Sequence, residues 1–267
     1  VDTLAILGAG KLGEALLSGI LRSGTSPDDV VVVEKHPERA AYLAERYGVR
    51  AVSEPEAVAF ASTLVIAVKP QDVGALLDAL APLATPRHLV VSVAAGIPTA
   101  YLEKRLVGVP VVRVMPNTPA LVDQAMSAIS AGAHAGEEHL AAAEALLASV
   151  GRVVRVPEHQ QDAVTALSGS GPAYFFYLVE AMIDAGILLG LPRAVAADLI
   201  VQTALGSATM LRDSGEHPVV LREAVTSPGG TTIMAIRELE KHGVRAALLA
   251  AIEAAHDRSA ELGRLYD

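Results

Sequence analysis

Leu4-Ala5-Ile6-Leu7-Gly8-Ala9-Gly10-Lys11-Leu12-Gly13 decides the fold, because a short apolar run breaks into glycines and passes at once into an Ala/Leu-rich helical pattern. The run reads as a buried strand, and residues 12–23, stopped by Gly24, read as the helix that follows. Gly8, Gly10 and Gly13 have the G-x-G-x-x-G spacing of a dinucleotide-binding turn. The first glycine of such a turn permits the sharp bend, the second lets backbone approach a pyrophosphate, and the third lets helix and strand pack closely. The helix start adds unpaired N–H groups and the positive end of its dipole. Gly8, Gly10, Lys11, Leu12 and Gly13 are therefore expected to hold a cofactor's phosphates.

A lone glycine triplet also serves ordinary turns. This one gains weight from Glu34, about 20 residues on, at the end of the next β-branched run. A strand-end glutamate is commonly only solvated. In register with the turn, Glu34 is expected to border the adenosine ribose. Its carboxylate favours the free 2′-hydroxyl of NAD, whereas Lys35, His36 and Arg39 could accept a 2′-phosphate, so NADH and NADPH both stay open.

Working outward, β-branched runs at residues 30–33, 64–68, 89–93, 111–114 and 153–156 alternate with helical patterns such as 37–47 and 71–83. Strands separated by helices imply βαβ units and a parallel sheet. After Glu158 the β-branched runs stop, and Ala/Leu stretches at 160–189, 193–214 and 231–264 take over, the last broken at His242-Gly243. The fold class is therefore α/β with a parallel sheet, followed by an all-α region. The domains are expected at 1–157, binding the dinucleotide, and 158–267, helical, with the boundary near Pro157 and no flexible linker.

Of the 267 residues 52% are apolar but only 3% aromatic, so the core must come from Ala, Val, Leu and Ile. A net charge of -9 would repel nucleic-acid phosphates, and no basic run offsets it, which leaves a small molecule as the expected partner. The absence of cysteine excludes disulfides, thiolate metal sites and a cysteine nucleophile, and is compatible with the cytoplasm. The eight histidines are scattered without H-E-x-x-H spacing, so no metal is expected. The N-terminal residues lack the pattern of a secretory signal. Residues 163–191 are strongly apolar but carry Gly169, Gly171, Pro172, Glu180 and Asp184, which predicts an interrupted helix buried against protein instead of a membrane span.

Four further motifs stand at element ends. Ala67-Val68-Lys69-Pro70 follows a strand, where open α/β sheets bind ligands, although a Pro-marked turn with a solvated Lys reads equally simply. Met115-Pro116-Asn117-Thr118-Pro119 is a proline-stiffened loop that presents an amide and a hydroxyl. Ser168-Gly169-Ser170-Gly171-Pro172 sits inside an apolar helical pattern, where glycine and proline are costly, and reads as a packing notch that also lines the site. Ser227-Pro228-Gly229-Gly230-Thr231-Thr232 opens another helix. Its glycines leave N–H groups free beside hydroxyls, which makes a carboxylate-binding nest; the plainer reading is an ordinary N-cap.

Together these motifs resemble the pyrroline-5-carboxylate reductases over essentially the whole chain: the opening turn, AVKP at 67–70, Ala94-Ala95-Gly96, MPNTP at 115–119, DAVTALSGSGPAY at 162–174 and VTSPGGTT at 225–232. The resemblance implies a Rossmann-like first domain, an all-α dimerisation domain interlocking with its twin, and a homodimer at least. It implies NADH- or NADPH-dependent reduction of 1-pyrroline-5-carboxylate to L-proline, the last step of proline biosynthesis. On this reading Gly8, Gly10, Lys11, Leu12, Gly13, Glu34, Lys35, His36, Ala67, Val68, Lys69, Pro70, Ala94 and Ala95 bind the cofactor. Ser227, Gly229, Gly230, Thr231, Thr232 and Asn117 bind the substrate, and Thr232 lies near the imine nitrogen. The alternatives are another two-domain reductase, of imine or β-hydroxyacid type, or a non-catalytic dinucleotide sensor. One departure is local: Asp123-Gln124-Ala125 stands where the family commonly has Gly-x-Gly.

Overall fold

The structure is a computed structural model that describes residues 3–266; residues 1, 2 and 267, at the outer ends of the expected domain ranges, lie outside it. The chain divides into two compact units. One comprises the residues up to Ser170 with those from Ala255 onward, the other Gly171–Ala254.

In the first unit, the described strands are β1 (Leu4–Leu7), β2 (Val30–Val33), β3 (Arg50–Ala51), β4 (Thr63–Ile66), β5 (Leu89–Ser92), β6 (Val111–Met115), β7 (Ala125–Ala131) and β8 (Gly151–Arg155). They form one sheet in the order β3-β2-β1-β4-β5-β6-β7-β8. Its first six positions have the doubly wound order of dinucleotide-binding folds. β1 to β6 are parallel, as expected. β7 runs antiparallel to β6 and carries β8 beside it.

The helices between these strands are α1 (Lys11–Arg22), α2 (Pro37–Tyr47), α3 (Glu54–Phe60), α4 (Val73–Leu80), α5 (Thr99–Glu103) and α6 (Glu137–Leu147). Strand alternation divides the core between the two sheet faces. Leu4 and Ile6 join one apolar cluster with Leu16 and Leu17 of α1, while Ala5 and Leu7 join another with Leu76 and Leu77 of α4. A parallel sheet has to be covered on both faces in this way, which accounts for the unbroken Val30-Val31-Val32-Val33. β3, β7, α3, α5 and α6 were not foreseen.

After Glu158 come α7 (Gln161–Val164), a π turn (Thr165–Gly169), a bend at Ser170 and, opening the second unit, α8 (Gly171–Leu188). The interruption expected at Gly169, Gly171 and Pro172 takes the form of this π turn and bend. The widened turn lets the Ser170 N–H donate to the Thr165 carbonyl at 2.8 Å, and Pro172 falls in the first turn of α8, where its missing N–H costs nothing.

In the second unit α8 folds back on α9 (Arg193–Ser214), followed by α10 (Pro218–Ala224), α11 (Thr231–Lys241) and the first half of α12 (Val244–Gly263), whose residues from Ala255 belong to the first unit, with Gly243 at the expected break. A Cβ on Gly186 would stand 2.8 Å from that of Ala196, so a glycine is what lets this hairpin close. Within the unit only Gly171 and Ala196 are buried. Phe175, Phe176, Leu188, Leu199 and Leu205 are exposed, and the runs Glu158–Leu188 and Arg193–Ser214 are long and apolar enough to cross a membrane. Of residues 163–191 only Ala166 and Gly171 are buried in the single chain, so most of the burial expected there is absent. Nothing within the unit covers these apolar faces, which need another surface to pack against.

Candidate functional site

The opening turn is built by contact. The Gly8 N–H donates to the Val33 carbonyl and the Ala67 N–H to that of Leu7, both at 2.8 Å, which draws the ends of β2, β1 and β4 together. Gly8 has φ +90°, and a Cβ there would lie 2.7 Å from the Val68 backbone nitrogen. A Cβ on Gly13 would overlap the Gly8 carbonyl, whereas one on Gly10 meets nothing within 4 Å. Gly10 is the N-cap of α1 and supplies no side-chain cap, so the first N–H groups of the helix remain available. This open, uncapped cradle fits a pyrophosphate.

Beside it lies a cleft of about 500 Å³, within the usual range of small-molecule sites. It brings together the expected residues Gly8, Gly10, Glu34, Lys35, His36, Ala67, Val68 and Lys69. Lys11, Leu12, Gly13, Pro70, Ala94 and Ala95 are not among its walls, and Ala94 is buried in the core. The sequence reading missed Leu7, Val33, Glu54, Gln71, Asp72, Ala75, Leu76 and Ala79, which complete the lining. Glu54 opens α3, which was not foreseen. Ala75, Leu76 and Ala79 lie in the helix expected at 71–83, so their helical spacing was the available signal.

Glu34 is held at both oxygens. Oε2 accepts from the Ala9 N–H at 3.2 Å and Oε1 from the His36 N–H at 3.0 Å. Arg39, a candidate for the 2′-phosphate, is committed elsewhere: its Nε donates to the Ala9 carbonyl at 3.0 Å and its Nη2 pairs with Glu14. Burial alone would push the Glu14 carboxyl up. Hydrogen bonds from Arg39 and Tyr47 outweigh it, and the net position is below the usual carboxylate value.

Asn117 lies in the first unit with both ends of its amide engaged. Its Oδ1 accepts from the Met126 N–H at 2.9 Å, and its Nδ2 donates to the Ser168 carbonyl at 3.3 Å. The Ser168-Gly169 step is a packing notch, since a Cβ on Gly169 would overlap the Met115 methyl. Asp123, in the segment that departs from the family pattern, has φ +59°, the left-handed conformation that glycine adopts most freely. Aspartate tolerates it, and here Asp123 also pairs with Arg22.

The second unit contains the other glycine-marked helix start. The Gly230 N–H closes a turn onto the Ser227 carbonyl at 3.1 Å, and Gly229 has φ +68°. Gly230 is the N-cap of α11 and no side chain caps it, contrary to the plain N-cap reading. The first N–H groups of α11 thereby have no side-chain cap, and Thr232 is half-buried.

Comparison with known proteins finds separate matches at the two ends of the chain. A family model described as "Pyrroline-5-carboxylate reductase dimerisation" matches residues 158–262, and one described as "NADP oxidoreductase coenzyme F420-dependent" matches residues 3–96. The chain is 47% identical to a pyrroline-5-carboxylate reductase of Mycobacterium tuberculosis, covering 97% of this chain and 96% of that one. It is 44% identical to that of Pisum sativum at the same coverage. Among solved structures, the Coxiella burnetii pyrroline-5-carboxylate reductase superimposes with a TM-score of 0.93 at 33% identity, over 98% of both chains. The Plasmodium falciparum pyrroline carboxylate reductase, solved with NADP bound, superimposes with 0.88 at 28% identity, over 98% of both.

Proposed function

The chain belongs to the pyrroline-5-carboxylate reductase family, and from that premise we propose how its residues divide the work. The reaction is the NAD(P)H-dependent reduction of 1-pyrroline-5-carboxylate to L-proline, which completes proline biosynthesis, and the enzyme is a homodimer. The observation that carries the division of labour is the pair of helices, α1 and α11, that both begin at a glycine with no side-chain cap. Each is a ready anion site.

In this reading α1 and the cleft beside it hold the dinucleotide, through Gly8, Gly10, Lys11, Leu12, Gly13, Glu34, Lys35, His36 and the turn Ala67-Val68-Lys69-Pro70, with Ala94 and Ala95 following β5. The start of α11, Ser227 and Gly229 to Thr232, holds the substrate carboxylate. Asn117 supports the site by fixing its own loop against Ser168. The helical dimerisation domain begins at residue 158, after the last strand, and the exposed apolar faces of α8 and α9 cover one another between subunits instead of meeting lipid. The net charge of -9 suits a cytoplasmic enzyme of small molecules and disfavours nucleic acid.

When bound, the reduced nicotinamide supplies a hydride to C5 of the cyclic iminium. The Thr232 hydroxyl accepts a hydrogen bond from the ring N–H, which persists as the nitrogen becomes a secondary amine. The substrate brings its own proton, so no protein acid is consumed. What the protein contributes is position.

The test follows NADH and NADPH oxidation with 1-pyrroline-5-carboxylate beside a 2-keto acid control. Oxidation with the cyclic imine alone is expected, and oxidation with only the keto acid overturns the reading. Thr232→Ala should lower kcat by about tenfold or more, the loss expected when one positioned polar contact is removed, with the Kd for NADH unchanged. Wild-type turnover in the folded variant removes Thr232 from the site.

A further inference from the structure

Resting on the dinucleotide reading of the cleft, we infer that this chain prefers NADH to NADPH, and that Glu34 sets the preference. Glu34 ends β2 with its carboxylate clamped between the Ala9 and His36 N–H groups, at 3.2 and 3.0 Å. Each oxygen keeps acceptor capacity, so the carboxylate can receive the two ribose hydroxyls of NADH but presents negative charge to a 2′-phosphate. Because both oxygens are bonded to backbone, the side chain does not swing aside without leaving two N–H groups unpaired.

The permanently charged cations that would have to offset this charge, Arg39, Lys35 and Lys69, are engaged or distant, which leaves the His36 ring beside the cleft. Arg39 is turned back onto the Ala9 carbonyl and Glu14. Lys35 faces Asp72 at 3.5 Å. Lys69 follows β4, which β1 separates from β2, so their ends stand roughly 10 Å apart across the sheet. The cleft lining itself adds Glu54 and Asp72 to Glu34. A 2′-phosphate, carrying about -1.5 to -2 charges, would meet the Glu34 carboxylate directly, in a cleft whose Glu54 and Asp72 stand against Lys35, Lys69 and His36. This preference runs opposite to the NADP named in the family model for residues 3–96 and bound in the Plasmodium relative.

The experiment measures equilibrium binding to the intact enzyme, by nicotinamide fluorescence for NADH and NADPH. Competition by ADP-ribose and by its 2′-phosphorylated form, neither of which is a hydride donor, separates binding from chemistry. NADH and ADP-ribose should bind about 10- to 100-fold tighter than their 2′-phosphorylated counterparts at low ionic strength, narrowing with salt. Glu34→Gln keeps one acceptor and removes the charge; the ratio should fall toward one, while Glu34→Asp should retain a preference for NADH. Equal or tighter binding of the 2′-phosphorylated pair by the wild type overturns the inference, as does an unchanged ratio in a folded Glu34→Gln variant. If none of the four ligands binds, the dinucleotide reading of the cleft itself fails, and the inference with it.

Discussion

Gly8 and Gly10 lie two residues apart in one turn, yet the structure predicts that a methyl group at each damages a different property. At Gly8, alanine would be forced to φ +90° with its Cβ 2.7 Å from the Val68 nitrogen and 2.9 Å from its Cα. Left-handed backbone costs a non-glycine residue about 1–2 kcal/mol, and driving a methyl into backbone adds about 1–3 kcal/mol, so Gly8→Ala should destabilise by roughly 3 kcal/mol. For a chain of this size that lowers Tm by about 6–12 °C. Gly10 has φ -64° and nothing within 4 Å, so the free protein accepts a methyl there. Gly10→Ala should shift stability by at most about 1 kcal/mol. The added methyl instead occupies the space in which backbone and pyrophosphate approach, and NADH binding should weaken by about tenfold or more, at least 1.4 kcal/mol. Thermal unfolding at one protein concentration and fluorescence titration with NADH measure the two effects separately. Wild-type affinity in Gly10→Ala, or a wild-type Tm in Gly8→Ala, would refute the reasoning.

Other perturbations test the supports of the site. Glu158→Ala removes the carboxylate that accepts from the Thr99 N–H at 2.7 Å and faces the buried Arg113 at 3.2 Å, and stranding that cation should cost about 3 kcal/mol in urea unfolding. Gly186→Leu should open the α8–α9 hairpin against Ala196, and sedimentation should show loss of the dimer before loss of helical circular dichroism. Glu14, held below its ordinary value of 4.5, contributes stability above that pH and loses it as pH falls through the lower folded value. The stability gap between wild type and Glu14→Gln should therefore be full at pH 7 and shrink below about pH 4; a gap constant with pH would contradict this.

Elements whose cause is local were legible in the sequence. The β1–turn–α1 unit, α2 from Pro37 to Tyr47 and α9 from Arg193 to Ser214 follow from apolar spacing and from stop residues within a few positions. Both glycine-marked helix starts were legible too, because a missing side-chain cap is a property of the residues beside it. β7 was not: Ala125-Met126-Ser127-Ala128-Ile129-Ser130-Ala131 has little β-branching, and only pairing with β6 and β8 makes it a strand.

The sequence by itself determined the fold class, the phosphate turn and the family. The tertiary structure alone decided which charges face the cleft. Arg39 looked available for a phosphate until it was found bonded to Ala9, 30 residues away, and Asp72 and Glu54 entered the lining from elements beyond β2. Backbone turns are set by neighbouring residues, whereas the electrostatics of a site are summed over whatever the fold brings within a few ångströms, and that sum has no local signature.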